Sequence, residues 1–329
     1  MSGGVFLSRF IAFRGICAYI SRACATPLLK AMSLLNDLVV TSLPLIPKSI
    51  VGQVSKRYVA GNSLQDAVST VKRLNSQGFL TTLDLLGEDI HETESAAAMR
   101  TRCVEMFSEI NRSALRSNVS VKLSQLGLRI SREFCYENVR KIAEAARGFG
   151  NFVRIDMEDS TTTTDTLEIH KRLRGEGFEN VGVVIQASMK RSEDDVRHLV
   201  EMGTNIRVCK GIYIEHDHIA YRNRDDVRRN FLTLVSMIVE HRCYVGIATH
   251  DEYLVDHSYE FLRERNLAND RYEFQMLLGV QEGLRDSIRR AGHRLRVYVP
   301  FGEQWYAYCV RRLKENPQIA GYVVRAMFS

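Results

Sequence analysis

Polar side chains recur in this chain at the ends of short runs rich in β-branched residues. They are Asp84, Lys122, Asp156, Gln186, Arg207, Lys210, Thr249, His250, Gln275 and Tyr298. Each has an ordinary structural role open to it, such as a helix cap, an ion pair, a satisfied core amide or a lysine that extends to solvent. Burying an unpaired polar group is costly, however. Polar residues at the end of nearly every run therefore predict that the runs face a shared wet or ligand-filled mouth.

A second polar cluster is predicted on a helix near the C-terminus. Tyr308, Arg311, Arg312 and Glu315 are spaced so that they share one helical face. This face can be a solvated surface that carries an Arg–Glu pair. If the helix lies at the rim of the mouth, the adjacent arginines are instead suited to grip a substrate carboxylate through charge-assisted, bidentate hydrogen bonds.

Eight short apolar runs, each followed by a polar, helix-like stretch, occupy the chain from residue 79 onward. They are FLTTLDL from 79, VSVKL from 119, FVRID from 152, VGVVIQ from 181, IRVCK from 206, YVGIAT from 244, YEFQM from 272 and LRVYV from 295. Strands that alternate with helices form a parallel sheet, and eight such units favour a closed (β/α)8 TIM-like barrel over an open sheet. No GxGxxG follows any run, which argues against a Rossmann site. We therefore expect an α/β protein with an N-terminal helical, basic arm over residues 1–60 and a barrel over 61–329.

Two of the predicted helices carry recognisable start signals. Ser63 with Asp66 predicts a capping box before a helix that runs to Gly78. Ser192 with Asp195 predicts a similar cap for a later helix.

Composition limits the classes of function. The 329-residue chain has a formal net charge of +6, with acidic and basic residues interspersed. A nucleic-acid-binding protein usually presents a denser basic face, so we expect no nucleic-acid partner. The seven cysteines are scattered and form no CxxC pair, which predicts reduced thiols rather than a disulfide framework or a metal site.

The N-terminal region has a distinct composition. The first 36 residues contain no Asp or Glu, but they include Arg9, Arg14, Arg22 and Lys30. This suits a helix on a membrane surface, an ordinary docking arm or an organellar transit peptide. No run reaches the roughly 18 apolar residues that a spanning helix needs. We expect a cytoplasmic protein with peripheral contact to the inner membrane, and a mitochondrial location is the alternative.

Nine segments, in order, resemble the proline dehydrogenase family, both its single-function enzymes and the catalytic barrel of the bacterial bifunctional proteins. They are TLDLLGE from 82, VSVKLSQLG from 119, IDMED from 155, VVIQAS from 183, RVCKGIY from 207, ATH from 248, YEFQMLLG from 272, RVYVPFG from 296 and YCVRRLKEN from 308. The combination of KLS, VIQA, KG-Y and VRRL-EN is highly specific. The segments span nearly the whole barrel region, whereas residues 1–60 lie outside the resemblance.

The resemblance implies FAD-dependent oxidation of L-proline to Δ1-pyrroline-5-carboxylate, with hydride transfer from C5 to the flavin N5 and reoxidation by a membrane quinone. It assigns a non-covalent FAD to Met157, Gln186, Arg207, Lys210, Gly211, Ile212, Thr249 and His250. It assigns the proline carboxylate to Lys122, Arg311 and Arg312, and the catalytic pair to Asp156 and Arg207. It implies substrate contacts from Glu88, Tyr298 and Tyr308, with a Glu88–Arg311 ion pair covering the substrate. Three further positions that it matches to the lining of the pocket are Asp84, Tyr213 and Glu315.

A few positions modify this expectation. Ile212 follows the KG pair where the family usually has a small residue, Leu278 stands where many members have His, and Asp251 follows ATH in place of the commoner Asn. Tyr298 occupies the position at which proline-preferring members keep a tyrosine, which favours proline over hydroxyproline as the substrate.

Two other classes of function remain as alternatives. One is a Schiff-base aldolase on the same fold, with Lys122 or Lys210 as the amine. The other is a membrane-associated flavin-binding or scaffold protein without activity, against which the complete set of polar site residues argues.

Overall fold

The computed structural model describes residues 52, 55–87, 89–306 and 308–310. The chain divides into two compact units, and Arg57–Trp305 forms the larger one. Every helix and strand named below lies in this larger unit.

Helices and strands alternate along the larger unit. Their bounds are α1 Leu64–Ser76, β1 Leu80–Leu85, α2 Thr93–Arg112, β2 Ser117–Val121, α3 Arg132–Gly148, β3 Val153–Ile155, α4 Ser160–Gly175, β4 Val181–Gln186, α5 Ser192–Glu201, β5 Ile206–Cys209, α6 Arg224–Glu240, β6 Val245–Ala248, α7 Glu252–Glu264, β7 Tyr272–Leu277, α8 Glu282–Arg290 and β8 Leu295–Phe301. A short 3-10 helix, Leu123–Leu126, follows β2.

The eight strands form a closed parallel barrel. They pair in the order β1 to β8, and β8 returns to β1 with Thr82 opposite Tyr298. The predicted (β/α)8 fold and all eight predicted strands are confirmed, although β2 begins at Ser117 rather than at Val119. Since all strands run in one direction, the ends at which the polar residues were predicted lie together at the C-terminal mouth of the barrel.

On most strands the side chains alternate between an apolar outer face and a polar inner face, although Val184 on β4 and Ala248 on β6 are apolar inner residues. On β2, Val119 and Val121 are fully buried in the apolar core, which they share with helical residues such as Val71. The intervening Ser120 and the following Lys122 instead hydrogen-bond to side chains from neighbouring strands. The main apolar core therefore lies between the strands and the surrounding helices, and the barrel interior is left mostly for polar groups.

Glycines on the strands make room for these inner polar groups. A Cβ on Gly182 would lie 2.7 Å from Nη1 of Arg154, and one on Gly246 would lie 2.6 Å from Nε2 of Gln275. Both distances are shorter than any ordinary carbon contact, so the long inner side chains depend on the absence of a side chain at these positions.

One of the two predicted helix caps is correct. Ser63 caps α1 in a full capping box with Asp66, as the sequence predicts. The prediction for Ser192 is wrong: α5 has Arg191 at its N-cap position, without a side-chain cap. The hydroxyl of Ser192 donates instead to the carbonyl of Gln186 at 2.6 Å, so it anchors the end of β4.

The described cysteines are free thiols, namely Cys103, Cys135, Cys209, Cys243 and Cys309. In the part of the chain that the structure describes, no group of His, Cys, Asp and Glu side chains is placed to hold a metal ion. Among those same residues, no helix combines the length and the apolar character needed to cross a bilayer.

Candidate active site

Asp156 is the centre of the polar cluster at the C-terminal mouth. It directly follows β3, where its backbone N–H continues the sheet by donating to the carbonyl of Val121 at 2.9 Å. Oδ1 accepts hydrogen bonds from Nη1 of Arg207 at 2.7 Å and from the hydroxyl of Ser120 at 3.1 Å. Oδ2 accepts one from the hydroxyl of Tyr298 at 2.6 Å. Four strands thus fix the orientation of this carboxylate.

A buried ion pair lies beside this carboxylate. Nζ of Lys122 donates to Oδ1 of Asp84 at 3.0 Å and lies 3.9 Å from Oδ2 of Asp156. Asp84 is 1% exposed and Lys122 8%, so both charges are almost fully removed from water. One lysine and one arginine balance two carboxylates here, because Lys122 and Arg207 face Asp84 and Asp156. This balance makes the burial of the charges tolerable.

Two buried polar atoms of this cluster have no hydrogen-bond partner among the described residues. They are Oδ2 of Asp84, an acceptor, and Nε of Arg207, a donor. Buried polar groups in folded proteins are normally satisfied. An unsatisfied acceptor and donor at one mouth indicate a site that completes its hydrogen bonds with a ligand.

Burial shifts the acid–base behaviour of two of these groups. It raises the pKa of Asp84, an effect that the neighbouring Lys122 opposes. Burial also raises the pKa of Tyr298 well above its usual value, and the nearby carboxylates of Asp156 and Asp84 add to this. Tyr298 therefore keeps its proton and acts as a hydrogen-bond donor to Asp156.

A second charged cluster follows β5 and β6. Nζ of Lys210 donates to Oδ2 of Asp251 at 3.1 Å, and Arg228 on α6 holds both oxygens of the same carboxylate at 2.9 and 2.7 Å. Burial alone would raise the pKa of Asp251, but the hydrogen bonds from Arg228 and Lys210 hold that pKa below its usual range. Asp251 thus places a fixed negative charge beside the predicted cofactor lysine.

Hydrogen bonds near Gln186 tie together the segments that follow β2, β3, β4 and β5. Its Nε2 donates to the carbonyl of Glu158 at 2.7 Å, and the Glu158 carboxylate accepts hydrogen bonds from the amide and hydroxyl of Ser124. Gly211 has a φ of +97°, and a Cβ there would collide with the hydroxyl of Ser188. Only glycine fits this turn, which explains the KG pair in structural terms.

The remaining predicted cofactor residues lie at the same mouth. Nε2 of His250 accepts a hydrogen bond from the backbone N–H of Leu277 at 2.9 Å, and Oγ1 of Thr249 accepts one from the amide of Asp251 at 3.1 Å. Met157 is almost buried at 9% exposure, whereas Ile212 is 49% exposed. The hydrogen bonds fix Thr249 and His250, the two residues after β6. The side chain of Ile212 is largely open to solvent.

Several predicted substrate residues are not placed by these observations. Glu88, Arg311 and Arg312 lie outside the described residues. Tyr308 is described, but it belongs to the smaller unit. The predicted Glu88–Arg311 ion pair remains a prediction.

Sequence reasoning missed Ser120 and Glu158 as members of the site. Ser120 joins Asp156 to Arg207, to whose Nη2 its hydroxyl oxygen lies at 3.3 Å. A signal existed, because Ser120 precedes Lys122 by two positions and Glu158 follows Asp156 by two, which is the period of one strand face. Serine and a lone glutamate are common enough in loops and strands that this spacing alone did not single them out.

A closed parallel barrel with buried, cross-linked charges at its C-terminal mouth is the architecture of a barrel enzyme that acts on a small polar molecule. The family model described as proline dehydrogenase matches residues 67–325. Proline dehydrogenase 2 of Bacillus subtilis is 35% identical over 271 residues, which cover 82% of this chain and 89% of that protein. The proline dehydrogenase of Deinococcus radiodurans is 35% identical over 278 residues, which cover 83% of this chain and 90% of the relative.

A solved structure agrees with the fold. Proline utilization A (PutA) from Bdellovibrio bacteriovorus, inactivated by N-propargylglycine, superimposes with a TM-score of 0.75 at 25% identity and covers 80% of this chain. The chain spans about a third of that protein, 32% of its length. The chain belongs to the proline dehydrogenase family, and it is an oxidoreductase of proline catabolism.

Proposed function

We propose that the chain oxidises L-proline to Δ1-pyrroline-5-carboxylate at the C-terminal mouth of the barrel, with a non-covalent FAD as the cofactor. The observation that carries this proposal is the cluster in which Lys122, Arg207 and Tyr298 surround Asp156. The cluster combines cations for a substrate carboxylate with donors for an electron-rich cofactor.

The residues present fit a flavin. Arg207 is anchored through its Nη atoms to Asp156 and Ser120, while its buried Nε has no hydrogen-bond partner among the described residues. A fixed cation with an unused donor is suited to a flavin ring edge that becomes negative on reduction. FAD, when bound, supplies the acceptor at N5 for the hydride that leaves proline C5. Met157, Gln186, Lys210, Gly211, Ile212, Thr249 and His250 would complete its site.

The chain's own residues bind and orient the substrate. Lys122 holds the proline carboxylate through its ammonium, and its position is set by Asp84. We also propose Arg311 and Arg312 as ligands of the proline carboxylate. Glu88 and Tyr308 are the residues that we propose to close the pocket. Tyr298, fixed by its hydrogen bond to Asp156, fills the space in which a ring hydroxyl would otherwise lie, so proline is favoured over hydroxyproline.

The electron acceptor and the location complete the proposal. We propose that a membrane quinone reoxidises the flavin and that the basic arm over residues 1–60 gives the cytoplasmic protein peripheral contact with the membrane. The acidic-residue-free composition of the first 36 positions supports this role.

Replacement of Lys122 tests the substrate site. Lys122→Met removes the ammonium, and we expect the KM for proline to rise about ten-fold or more, because a charge-assisted contact contributes on the order of 1.5–3 kcal/mol. Flavin content should stay near wild type, since the cofactor contacts come from other residues. Steady-state dye reduction with matched flavin loading measures both. Lys171→Met, on the exposed face of α4, is the control and should leave KM unchanged.

A second variant keeps this test decisive if Lys122→Met alone folds poorly. Removing Lys122 leaves Asp84 as an unpaired buried carboxylate, which is strongly destabilising. The pair Lys122→Met and Asp84→Asn removes both charges together. A wild-type KM in this double variant would exclude Lys122 as a carboxylate ligand. Trapping of a carbonyl substrate on the wild-type chain by borohydride would instead support the aldolase alternative.

A further inference from the structure

A cavity of about 520 Å³ opens at the N-terminal end of the barrel, opposite the Asp156 cluster. Residues at the starts of strands line it, among them Asn118 on β2, Arg154 on β3, Glu273 on β7 and Arg296 on β8. Because the strands are parallel, these starts lie at the end of the barrel away from the catalytic mouth. We call this cavity the basin, and it is separate from the candidate active site.

The basin is strongly basic. Four arginines line it, Arg116, Arg154, Arg294 and Arg296, against the single carboxylate of Glu273. The formal excess is therefore three positive charges. A concave surface of one charge sign with low-dielectric walls concentrates its field and attracts ions of opposite sign.

Only one of these arginines is neutralised in place. Nε of Arg296 donates to Oε1 of Glu273 at 2.6 Å. The others donate to uncharged groups: Arg116 to the carbonyl of Asn75, Arg294 to that of Asp270 and Arg154 to those of Val183 and Asn205. Within the part of the chain that the structure describes, no carboxylate pairs with any of these three arginines.

Arg154 shows that this imbalance extends into the barrel interior. It is 2% exposed, and its buried Nε has no hydrogen-bond partner among the described residues. Burial, with the neighbouring charges of Arg207 and Arg296, lowers the pKa of Arg154 to about 9 despite the presence of Glu273. An anion in the basin would supply the missing counter-charge.

We propose that the basin binds a small multivalent oxyanion, a molecule that carries phosphate groups or several carboxylates. Guanidinium groups present planar forks of donors that match phosphate and carboxylate oxygens. The cavity volume lies within the range of about 300–1,000 Å³ that is usual for small-molecule sites. A monovalent ion would leave most of the excess charge uncompensated.

Binding of inorganic pyrophosphate and of citrate to the full chain, saturated with FAD, tests this proposal. FAD saturation keeps pyrophosphate out of the cofactor site. Isothermal titration calorimetry should show saturable binding to one site per chain, whereas sodium chloride at matched ionic strength should give no saturable signal. Tighter binding of pyrophosphate identifies phosphate chemistry, and tighter binding of citrate identifies a polycarboxylate.

Paired variants locate the site. Arg116→Gln with Arg294→Gln removes two basin charges whose hydrogen bonds reach only backbone carbonyls, and we expect affinity to fall about ten-fold or more. Arg197→Gln with Arg229→Gln removes the same charge from the exposed surfaces of α5 and α6 and should leave affinity unchanged. Proline-dependent activity should persist in both, which shows that they are folded. Equal affinity in the two double variants, or a heat signal that follows ionic strength alone, would overturn the proposal.

Discussion

The carboxylate of Asp156 accepts hydrogen bonds from side chains on three other strands, β2, β5 and β8. Ser120 is the shortest of these side chains, and it contacts both Asp156 and Arg207. A hydroxyl in this position supports the direct ion pair between the proposed catalytic carboxylate and the proposed flavin-contacting cation. We therefore regard Ser120 as a positioning residue.

Ser120→Ala should lower the rate of flavin reduction at saturating proline about three- to ten-fold, because loss of a buried hydrogen bond costs roughly 1 kcal/mol and loosens Arg207. The KM for proline should change little, since Lys122 is untouched. Rapid-mixing kinetics separates these two effects. Ser117→Ala on the same strand is the control, because the Ser117 hydroxyl donates to the neighbouring backbone carbonyl of Asn118 rather than to a side chain of the cluster. Equal rates for both variants and wild type would remove Ser120 from the site.

The arginine pair near the C-terminus has a separate test. Arg312→Lys keeps the charge but loses the planar fork, so we expect the KM for proline to rise about ten-fold while flavin content stays near wild type. Arg311→Lys should act similarly, with an added effect from the predicted pairing with Glu88. Steady-state kinetics at matched flavin loading measures both. Wild-type KM and turnover in both variants would mean that the arginines form only a solvated helix face.

At the scale of residues, the sequence predicted most members of the cluster, Tyr298 included, and missed Ser120 and Glu158. Asp156, Arg207 and Lys122 stand out because buried charges at strand ends are costly without a purpose. Ser120 carries no such signal, since a strand serine can equally face solvent. Its role depends on which strands become neighbours of β2 across the barrel, and this information is not local.

At the scale of elements, most strands alternate an apolar outer face with a polar inner face, and glycines give the inner side chains their space. Gly182 lies beside Arg154, Phe152 and the backbone carbonyl of Asn205, so an added methyl group there would meet backbone as well as side chains. The rigid barrel wall cannot easily move to accept it.

Gly182→Ala should therefore destabilise the protein by about 1–3 kcal/mol, the usual effect of overpacking. Denaturant unfolding of the flavin-loaded protein measures this loss. Gly283→Ala on α8 is the matched control, because a Cβ there meets nothing within 4 Å, and it should be neutral or slightly stabilising. A Gly182→Ala protein as stable as wild type would show that the wall adapts more readily than this packing implies.

The two helix starts show the limit of local signals. Ser63 and Asp66 form a capping box, in which the serine hydroxyl accepts from the backbone N–H of Asp66 and donates to its carboxylate. Ser192 has the same local pattern, but its hydroxyl donates a hydrogen bond to the carbonyl of Gln186 at the end of β4. At Ser192 a tertiary hydrogen bond thus takes the place of the local cap.

At the scale of the whole molecule, the fold was predictable because eight apolar runs separated by helical stretches admit few parallel-sheet solutions. The two ends of the barrel were not equally predictable. The C-terminal mouth draws its polar residues from strand ends, where sequence patterns are informative. The basin is lined by Arg116, Arg294 and Asn205, which lie in the turns before the strands. Polar residues are expected in these turns in any barrel, so the sequence does not predict that they line a common basic cavity.

The central claim is that L-proline reduces a flavin held at the C-terminal mouth. Anaerobic mixing of the purified, FAD-loaded chain with L-proline, followed through the visible flavin absorption, tests it most directly. We expect the flavin band to bleach with a saturable dependence on L-proline, Δ1-pyrroline-5-carboxylate to form in equal amount, and hydroxyproline to react more slowly. A flavin-loaded, folded protein whose spectrum does not change on addition of L-proline would contradict the account.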